Sequence, residues 1–261
     1  MKRLPIIAIV KEALLLVWQK RLVLFRALIV TGLVLAALDV AQGHLMKRVD
    51  SISLLGLSFA LVCVMWGVSI LFAITCHRIV LLGETSVPKY GLLSWTSRET
   101  RFFGWGAVLS FYLLLVLAPI GLAMFAATFF VDISFKEGYA KYWGLLAFVP
   151  AMYVAARLAV LFPATAIGER HNTDWAFDTT ARNGWRVAAA TSLVPVPFGF
   201  AIRALPFGHD VFTDFLLRLA DSVFVAIGVV TLSLSFRFLS PVSPEGGGAD
   251  HGLRQSAGGG R

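Results

Sequence analysis

The chain has 261 residues, of which 58% are hydrophobic and only 15% are charged, and its formal net charge is +8. A soluble domain carries about 25% charged residues, so this composition excludes an ordinary soluble globular domain. The mean hydropathy of +0.79 favours a protein that crosses a lipid bilayer as helices, because irregular chain would leave backbone hydrogen bonds unpaired in hydrocarbon.

Six apolar runs are long enough to cross a bilayer, which takes about 20 residues of helix. We predict spanning helices at approximately 22–41, 53–76, 104–131, 142–164, 185–205 and 212–236. Short interfacial helices are predicted on the cytoplasmic side at about 5–19, 88–102 and 172–184. Residues 241–261 are rich in Gly, Ser and Pro and are predicted to form a disordered cytoplasmic tail, which leaves residues 1–240 as one polytopic membrane domain.

Basic residues are distributed unevenly between the two sides of the predicted helices. Counted by segment, 17 of the 23 Lys and Arg residues lie on the side that carries both termini. Because cytoplasmic loops of membrane proteins carry the excess of Lys and Arg, we predict that both termini are cytoplasmic. The basic residues lie between apolar runs, so membrane lipids with anionic headgroups are the expected partners, and nucleic acid is not.

A period of about 80 residues recurs along the chain. The segments WTSRETRFFGW (95–105) and WAFDTTARNGW (175–185) share a frame of two tryptophans that ends in Gly-Trp. Arg78, Arg157 and Arg237 follow one another at intervals of 79 and 80 residues. We therefore predict an all-α membrane protein whose six transmembrane helices form three parallel repeats of an interfacial helix plus a helical hairpin. The repeats would cover approximately 1–80, 81–160 and 161–240.

The arginine triplet, Arg78, Arg157 and Arg237, has two interpretations. Each arginine is either an independent anchor whose stem reaches the cytoplasmic interface, or part of a ring, joined by the adjacent His77, that binds an anionic lipid headgroup or a solute phosphate. Indole prefers the headgroup region. Five tryptophans are predicted to be interfacial anchors: Trp18, Trp95, Trp105, Trp175 and Trp185.

A second set of charged residues lies in the outer half of the predicted helices. It consists of Asp39, Arg203, Arg218 and Asp221. Arg218 and Asp221 are spaced i,i+3 on one helix and are expected to pair, because a carboxylate at this depth is costly without a partner. This polar outer-side cluster is either a local ion pair near the interface or a polar step in a transport path.

The predicted fifth helix contains Pro195, Pro197 and Pro206, and proline removes backbone hydrogen bonds and kinks a helix. A broken helix either lines a substrate cavity or is a kink that neighbouring helices accommodate. Patterns typical of enzymes, such as His-Glu-x-x-His, Gly-x-Ser-x-Gly and Cys-x-x-Cys, do not occur in the sequence. We therefore expect no catalytic residues, no metal site and no cofactor.

An arginine and apolar residues precede a tryptophan-containing stretch that enters the next helix. The segments that carry this pattern are HRIVLLGE, ARLAVLFPATAIGE and ARNGWRV. Over roughly residues 1–240 this pattern resembles an uncharacterised class of six-helix bacterial inner-membrane proteins. It also resembles the membrane domain fused to some glycerophosphodiester phosphodiesterases. The catalytic barrel of those enzymes has no counterpart in this sequence, so the resemblance implies a six-helix fold in the bacterial cytoplasmic membrane without the phosphodiesterase activity.

Two functions are compatible with these features. The first is a non-enzymatic integral membrane protein that binds anionic lipid headgroups or organises a protein partner of unknown identity. The second is a transporter or permeation pathway for a small solute. A cavity lined by Asp39, Asp221 and the kinked fifth helix would favour transport, whereas polar groups confined to the cytoplasmic rim would favour the first function.

Overall fold

The computed structural model describes residues 3–47, 52–130, 133–204 and 211–240, and leaves out the side chains of residues 127–145, 200 and 202–204. Within these ranges every regular element is helical. The α-helices are α1 (Ile6–Gln19), α2 (Arg21–Met46), α3 (Ile52–Leu81), α4 (Ser97–Phe130), α5 (Ile133–Leu158), α6 (Leu161–Ala166), α7 (Thr173–Thr179), α8 (Gly184–Ser192), α9 (Pro195–Ala204) and α10 (Val211–Leu239). A 3-10 turn (Glu84–Ser86) follows α3. The predicted tail, 241–261, lies outside the described residues.

Five stretches of the described chain are long and apolar enough to cross a membrane. They are Arg21–Met46, Ile52–Leu81, Ser97–Ala126, Leu146–Ala166 and Val211–Leu239. Large apolar side chains on them point outward, and Phe59, Phe111 and Leu122 are each more than half exposed. Hydrocarbon solvates such a surface far better than water does. The prediction of an all-helical chain with several potential membrane spans is therefore confirmed.

The predicted fifth helix is divided into two shorter helices. α8 ends at Ser192 and α9 begins at Pro195. Proline has no N–H to donate and its ring clashes with the carbonyl four residues earlier, so it interrupts a helix but suits the first position of a new one. At about 1.5 Å per residue neither helix alone reaches across a bilayer. For this reason the stretch is not among the five long apolar helices.

The predicted interfacial helix at 88–102 does not form as a separate element. Gly91 has a φ of +80°, a conformation that an α-helix does not contain. Thr96 and Glu99 then form a capping box, in which Glu99 Oε2 accepts a hydrogen bond from the Thr96 backbone N–H at 2.8 Å. The capping box starts α4 at Ser97, so the last residues of the predicted short helix belong to the long one.

The helices pack in a cyclic order. α2 packs against α3, α4 against α5, and α8 and α9 against α10. In addition, α4 contacts α3, α8 contacts α5, and α2 contacts α10. The ends of α3 and α10 meet each other and α6, and most buried apolar residues lie around them. The core is therefore concentrated at the end of the bundle that carries the arginine triplet.

Gly184, the first residue of α8, allows α8 to lie directly against α5. A Cβ at this position would come within 2.8 Å of Tyr153 Cε2 and 3.0 Å of Arg157 Cγ. We therefore expect Gly184→Ala to lower the stability by about 1–3 kcal/mol, the usual cost of overpacking. The measurement is thermal unfolding of the purified protein in detergent.

Gly104 provides the matched control, because it has the same place in the other tryptophan frame. A Cβ on Gly104 would meet nothing within 4 Å. Gly104→Ala should leave the melting temperature unchanged or raise it, since alanine is favoured over glycine inside a helix by about 0.5–1 kcal/mol. Equal melting temperatures for the two variants would contradict the close packing of α5 on α8.

Candidate functional site

Arg78, near the end of α3, is hydrogen-bonded to two other segments. Its Nε and Nη2 donate to the Ser86 carbonyl oxygen at 3.2 and 3.1 Å, and its Nη1 donates to the Ala166 carbonyl oxygen at 3.2 Å. Ser86 closes the contact from the other side, because its Oγ donates to the Arg78 carbonyl oxygen at 3.2 Å. Arg78 therefore fastens the 3-10 turn and α6 to the end of α3.

Arg157, at the end of α5, makes equivalent contacts with α7. Its Nε donates to Thr180 Oγ1 at 3.1 Å, its Nη1 to the Tyr153 hydroxyl at 3.3 Å, and its Nη2 to the Phe177 carbonyl oxygen. The guanidinium carbon also lies 4.7 Å from the centroid of the Phe177 ring, a cation–π distance. Arg157 therefore holds α7 against the end of α5.

Arg237, at the end of α10, binds an acidic residue of α1. Its Nη2 donates to Glu12 Oε1 at 2.6 Å, and both side chains are 49% exposed. Each member of the arginine triplet thus has its own acceptors in the chain, and each connects the end of a long helix to a short segment. The geometry is that of three separate clamps between segments.

His77 does not share the contacts of Arg78. It is 1% exposed, and its Nδ1 lies 2.7 Å from Ser233 Oγ on α10. Residues adjacent in a helix point in different directions, so Arg78 faces the segments that follow α3 while His77 faces the core. His77 joins α3 to α10, a long-range contact that the sequence pattern did not reveal.

Charged side chains of α2 and α10 line a cavity of about 470 Å³, here called the polar cavity. Arg218 Nη1 lies 2.9 Å from Asp39 Oδ2. Asp221 also lines the cavity, but among the residues that the structure describes it has no ion-pair or hydrogen-bond partner. The expected local pair of Arg218 with Asp221 is replaced by a pair with Asp39 on another helix.

The walls of the polar cavity are mainly apolar and aromatic. α3 contributes Trp66, α4 contributes Phe102 and Phe103, and α6 contributes Phe162. The rings support one another, since the centroids of Trp66 and Phe103 are 6.3 Å apart and those of Phe102 and Phe162 are 4.8 Å apart. A few polar groups in an otherwise apolar recess are typical of small-molecule sites.

The remaining predicted members of this site lie elsewhere or are not described. None of the described side chains of α8 and α9 lines the polar cavity, so the broken helix is not seen to form its wall. Arg203 belongs to α9, but its side chain lies outside the described residues. Of the polar outer-side cluster, the structure therefore brings together Asp39, Arg218 and Asp221.

The five predicted tryptophan anchors differ in exposure. Trp18, Trp95 and Trp185 are 67%, 49% and 53% exposed, as expected for side chains at a membrane–water interface. Trp105 and Trp175 pack instead against one of the buried apolar clusters. Two of the five tryptophans therefore contribute directly to internal packing.

A polar contact that local sequence patterns do not predict joins the segment before α1 to the start of α8. Asn183 Oδ1 accepts a hydrogen bond from the Leu4 backbone N–H at 2.8 Å, and Arg186 Nη1 donates to the Leu4 carbonyl oxygen at 2.9 Å. Leu4 is fully buried, so the segment before α1 is fixed to the start of α8. The Asn-Gly pair at the start of α8 was the available signal, since asparagine readily bonds backbone groups.

The part of the chain that the structure describes is helical, with five helices long and apolar enough to cross a membrane and with charged residues in a cavity between them. Comparisons of the chain with protein-family models, with curated proteins and with solved structures each find no match. Its function is therefore argued from the chemistry of its own residues.

Replacing Arg157 tests the clamp interpretation of the arginine triplet. Arg157→Gln removes the charge-assisted hydrogen bonds to Phe177 and Thr180, and we expect a loss of about 1–3 kcal/mol of stability. Arg182→Gln is the matched control, because Arg182 is an exposed arginine that follows Thr180 by two residues. Thermal unfolding in detergent measures both variants, and an Arg157→Gln variant as stable as the control would contradict the clamp.

Proposed function

We propose that the chain is a multi-pass protein of the bacterial cytoplasmic membrane, built from three parallel repeats around a common centre. The cyclic packing supports this proposal. In each pair of helices, the first helix also packs against the second helix of the preceding pair: α4 on α3, α8 on α5 and α2 on α10. Three equivalent units that enter the membrane in the same direction would produce this order.

The arginine contacts follow the same order. Arg78 of the first proposed repeat holds Ser86 in the second, and Arg157 of the second holds Phe177 in the third. Arg237 of the third repeat then returns to Glu12 in the first. Each arginine therefore fastens the short segment that opens the next repeat, which favours a closed ring over an open row of repeats.

The stretch of α8 and α9 is the sixth span in this proposal. Together the two helices extend over residues 184–204, about 30 Å of helix at about 1.5 Å per residue, which matches the hydrocarbon thickness of a bilayer. With six spans both termini lie on the same side, and the excess of Lys and Arg there places that side in the cytoplasm.

We infer that the protein binds a small solute in the polar cavity and acts as a transporter or permeation pathway. The observation that carries this inference is the placement of Asp39, Arg218 and Asp221 in a recess between spanning helices. Ionisable groups are expensive at membrane depth, and they mark substrate or ion pathways more often than they serve packing. The proposed activity needs no covalent chemistry and no cofactor.

Binding of an anionic headgroup by the arginine triplet has weaker support. The guanidinium groups of Arg78, Arg157 and Arg237 donate to carbonyl oxygens, a hydroxyl and a carboxylate of the chain itself. A phosphate would have to compete with these intramolecular acceptors. The solute cavity is therefore the better-supported of the two functions.

Accessibility of a single cysteine tests the solute cavity without knowledge of the substrate. In a background of Cys63→Ser and Cys76→Ala, Ser222→Cys places a thiol on the cavity wall. We expect a hydrophilic, membrane-impermeant thiol reagent to label it, because a solute pathway must admit water. Labelling in both right-side-out and inverted vesicles would support passage across the membrane, and labelling from one side would support a binding site.

Val223→Cys is the matched control for this experiment. Val223 is the next residue of α10, is 53% exposed and lines an apolar recess between α2 and α10 that opens to the outer surface of the bundle, where lipid should exclude the reagent. A Ser222→Cys protein that is as unreactive as the control from both sides would contradict a hydrated cavity.

Two further cysteines test the sixth span. Arg182→Cys lies just before α8, and Val211→Cys begins α10. We expect the impermeant reagent to reach residue 182 only from the cytoplasmic side and residue 211 only from the outer side, because α8 and α9 cross the membrane between them. Labelling of both positions from the same side would refute the six-span arrangement.

A further inference from the structure

A second recess lies beside the polar cavity. It has a volume of about 620 Å³ and runs between α2 and α10, and it is called the α2–α10 groove. Phe72 of α3 and Ser222 of α10 line both recesses. The two recesses therefore meet at these side chains.

The α2–α10 groove has the dimensions and the lining of a hydrocarbon-chain site. Along α2 it extends from Arg21 to Gly32, about 16 Å at about 1.5 Å per residue. Nearly all of its lining is aliphatic or aromatic. Leu22 and Phe25 on one wall are each 63% exposed, so the groove opens to the outer surface of the bundle, where lipid chains lie.

The polar cavity offers both signs of charge within one helical turn. Arg218 pairs with Asp39 through Nη1 at 2.9 Å. A guanidinium group has five N–H donors, so donors on the other nitrogens of Arg218 remain for a phosphate. Asp221, on the next turn of α10, supplies a carboxylate for a cation, and the aromatic wall that includes Trp66 adds the ring faces that attract ammonium groups.

We propose that the polar cavity and the α2–α10 groove form one site for a membrane phospholipid whose headgroup ends in a primary ammonium. The ammonium lies against Asp221, the phosphate against Arg218, and a hydrocarbon chain lies in the groove. The lipid enters sideways from the bilayer between α2 and α10, past Phe72 and Ser222. This inference rests on the solute cavity proposed above and assigns the chemical class of its ligand.

Charge complementarity selects this lipid over an anionic one. The described charged residues of the cavity, Asp39, Arg218 and Asp221, carry a net formal charge of −1, and Arg21 lines the groove at the end away from the cavity. An anionic headgroup without an ammonium would leave Asp221 unbalanced and would repel it. A zwitterionic headgroup supplies a partner both for Asp221 and for the remaining donors of Arg218.

The test compares two single-chain phospholipids that differ only in the headgroup. The purified full-length protein in non-ionic detergent is titrated with lysophosphatidylethanolamine and with lysophosphatidylglycerol of the same chain length, and bound lipid is counted by native mass spectrometry. We expect the wild type to prefer the ethanolamine headgroup by about tenfold, equal to about 1.4 kcal/mol. Equal binding of the two lipids by the wild type overturns the proposal.

Variants locate the preference within the site. Asp221→Asn should abolish the tenfold preference, whereas Asp214→Asn, the same change on α10 away from both recesses, should keep it. Val223→Trp should fill the groove and weaken binding of both lipids by about tenfold or more. Loss of the preference in both Asp variants, or unchanged binding by Val223→Trp, contradicts the proposed site.

The two proposals fail in different ways. Labelling of Ser222→Cys by the hydrophilic reagent, together with equal binding of the two lipids, would support the solute cavity and contradict the lipid site. Absence of that labelling would contradict the solute cavity, while a headgroup preference that depends on Asp221 would still support the lipid site. A melting temperature for each variant within a few degrees of the wild type shows that the fold is retained.

Discussion

A charged group at the end of an apolar helix needs acceptors, and the nearest ones belong to the chain itself. Arg78, Arg157 and Arg237 meet this requirement with carbonyl oxygens, a threonine hydroxyl and the Glu12 carboxylate. Because each arginine takes at least one acceptor from the short segment that follows in the cyclic order, the bonds that satisfy the guanidinium groups also fix where those segments lie. The position of the segments relative to the long helices depends on this constraint.

The same constraint is met only in part within the polar cavity. Arg218 and Asp39 satisfy each other, while Asp221 faces the recess without a described partner. The positions 80 and 160 residues after Asp39 are Pro119 and Gly199, neither of which carries a charge. The Asp39–Arg218 pair therefore joins α2 to α10 through an acid that the 80-residue period does not repeat.

The sequence predicted those features that depend on local composition. Apolar length identified the five long helices, and the charge of Arg78 and Arg237 correctly marked helix ends. Local spacing could not identify the partner of Arg218, since Asp214 and Asp221 are the acids within helical reach while Asp39 comes from a distant part of the chain. The direction of His77 into the core depends equally on a partner, Ser233, that no local pattern indicates.

Two errors have local causes that the sequence did contain. The apolar run at 185–205 predicts one helix, kinked or broken by its prolines, whereas Pro195 begins a separate helix, α9, because a proline suits the beginning of a helix better than its middle. The Thr-x-x-Glu pattern at residues 96–99 was overlooked, although it fixes the start of α4. In both cases a predicted helix, 185–205 or 88–102, runs through a position at which a new helix begins.

The contacts of α1 impose an order on biosynthesis. The chain is made from its N-terminus, yet α1 packs mainly on α10 and α8, and Leu4 bonds to Asn183. α1 is therefore made well before α8 and α10, the helices on which it mainly packs. Until then α2 is a neighbour already present, and lipid or a chaperone must cover the rest of the apolar face of α1, so α1 reaches its final position only after α10 is made.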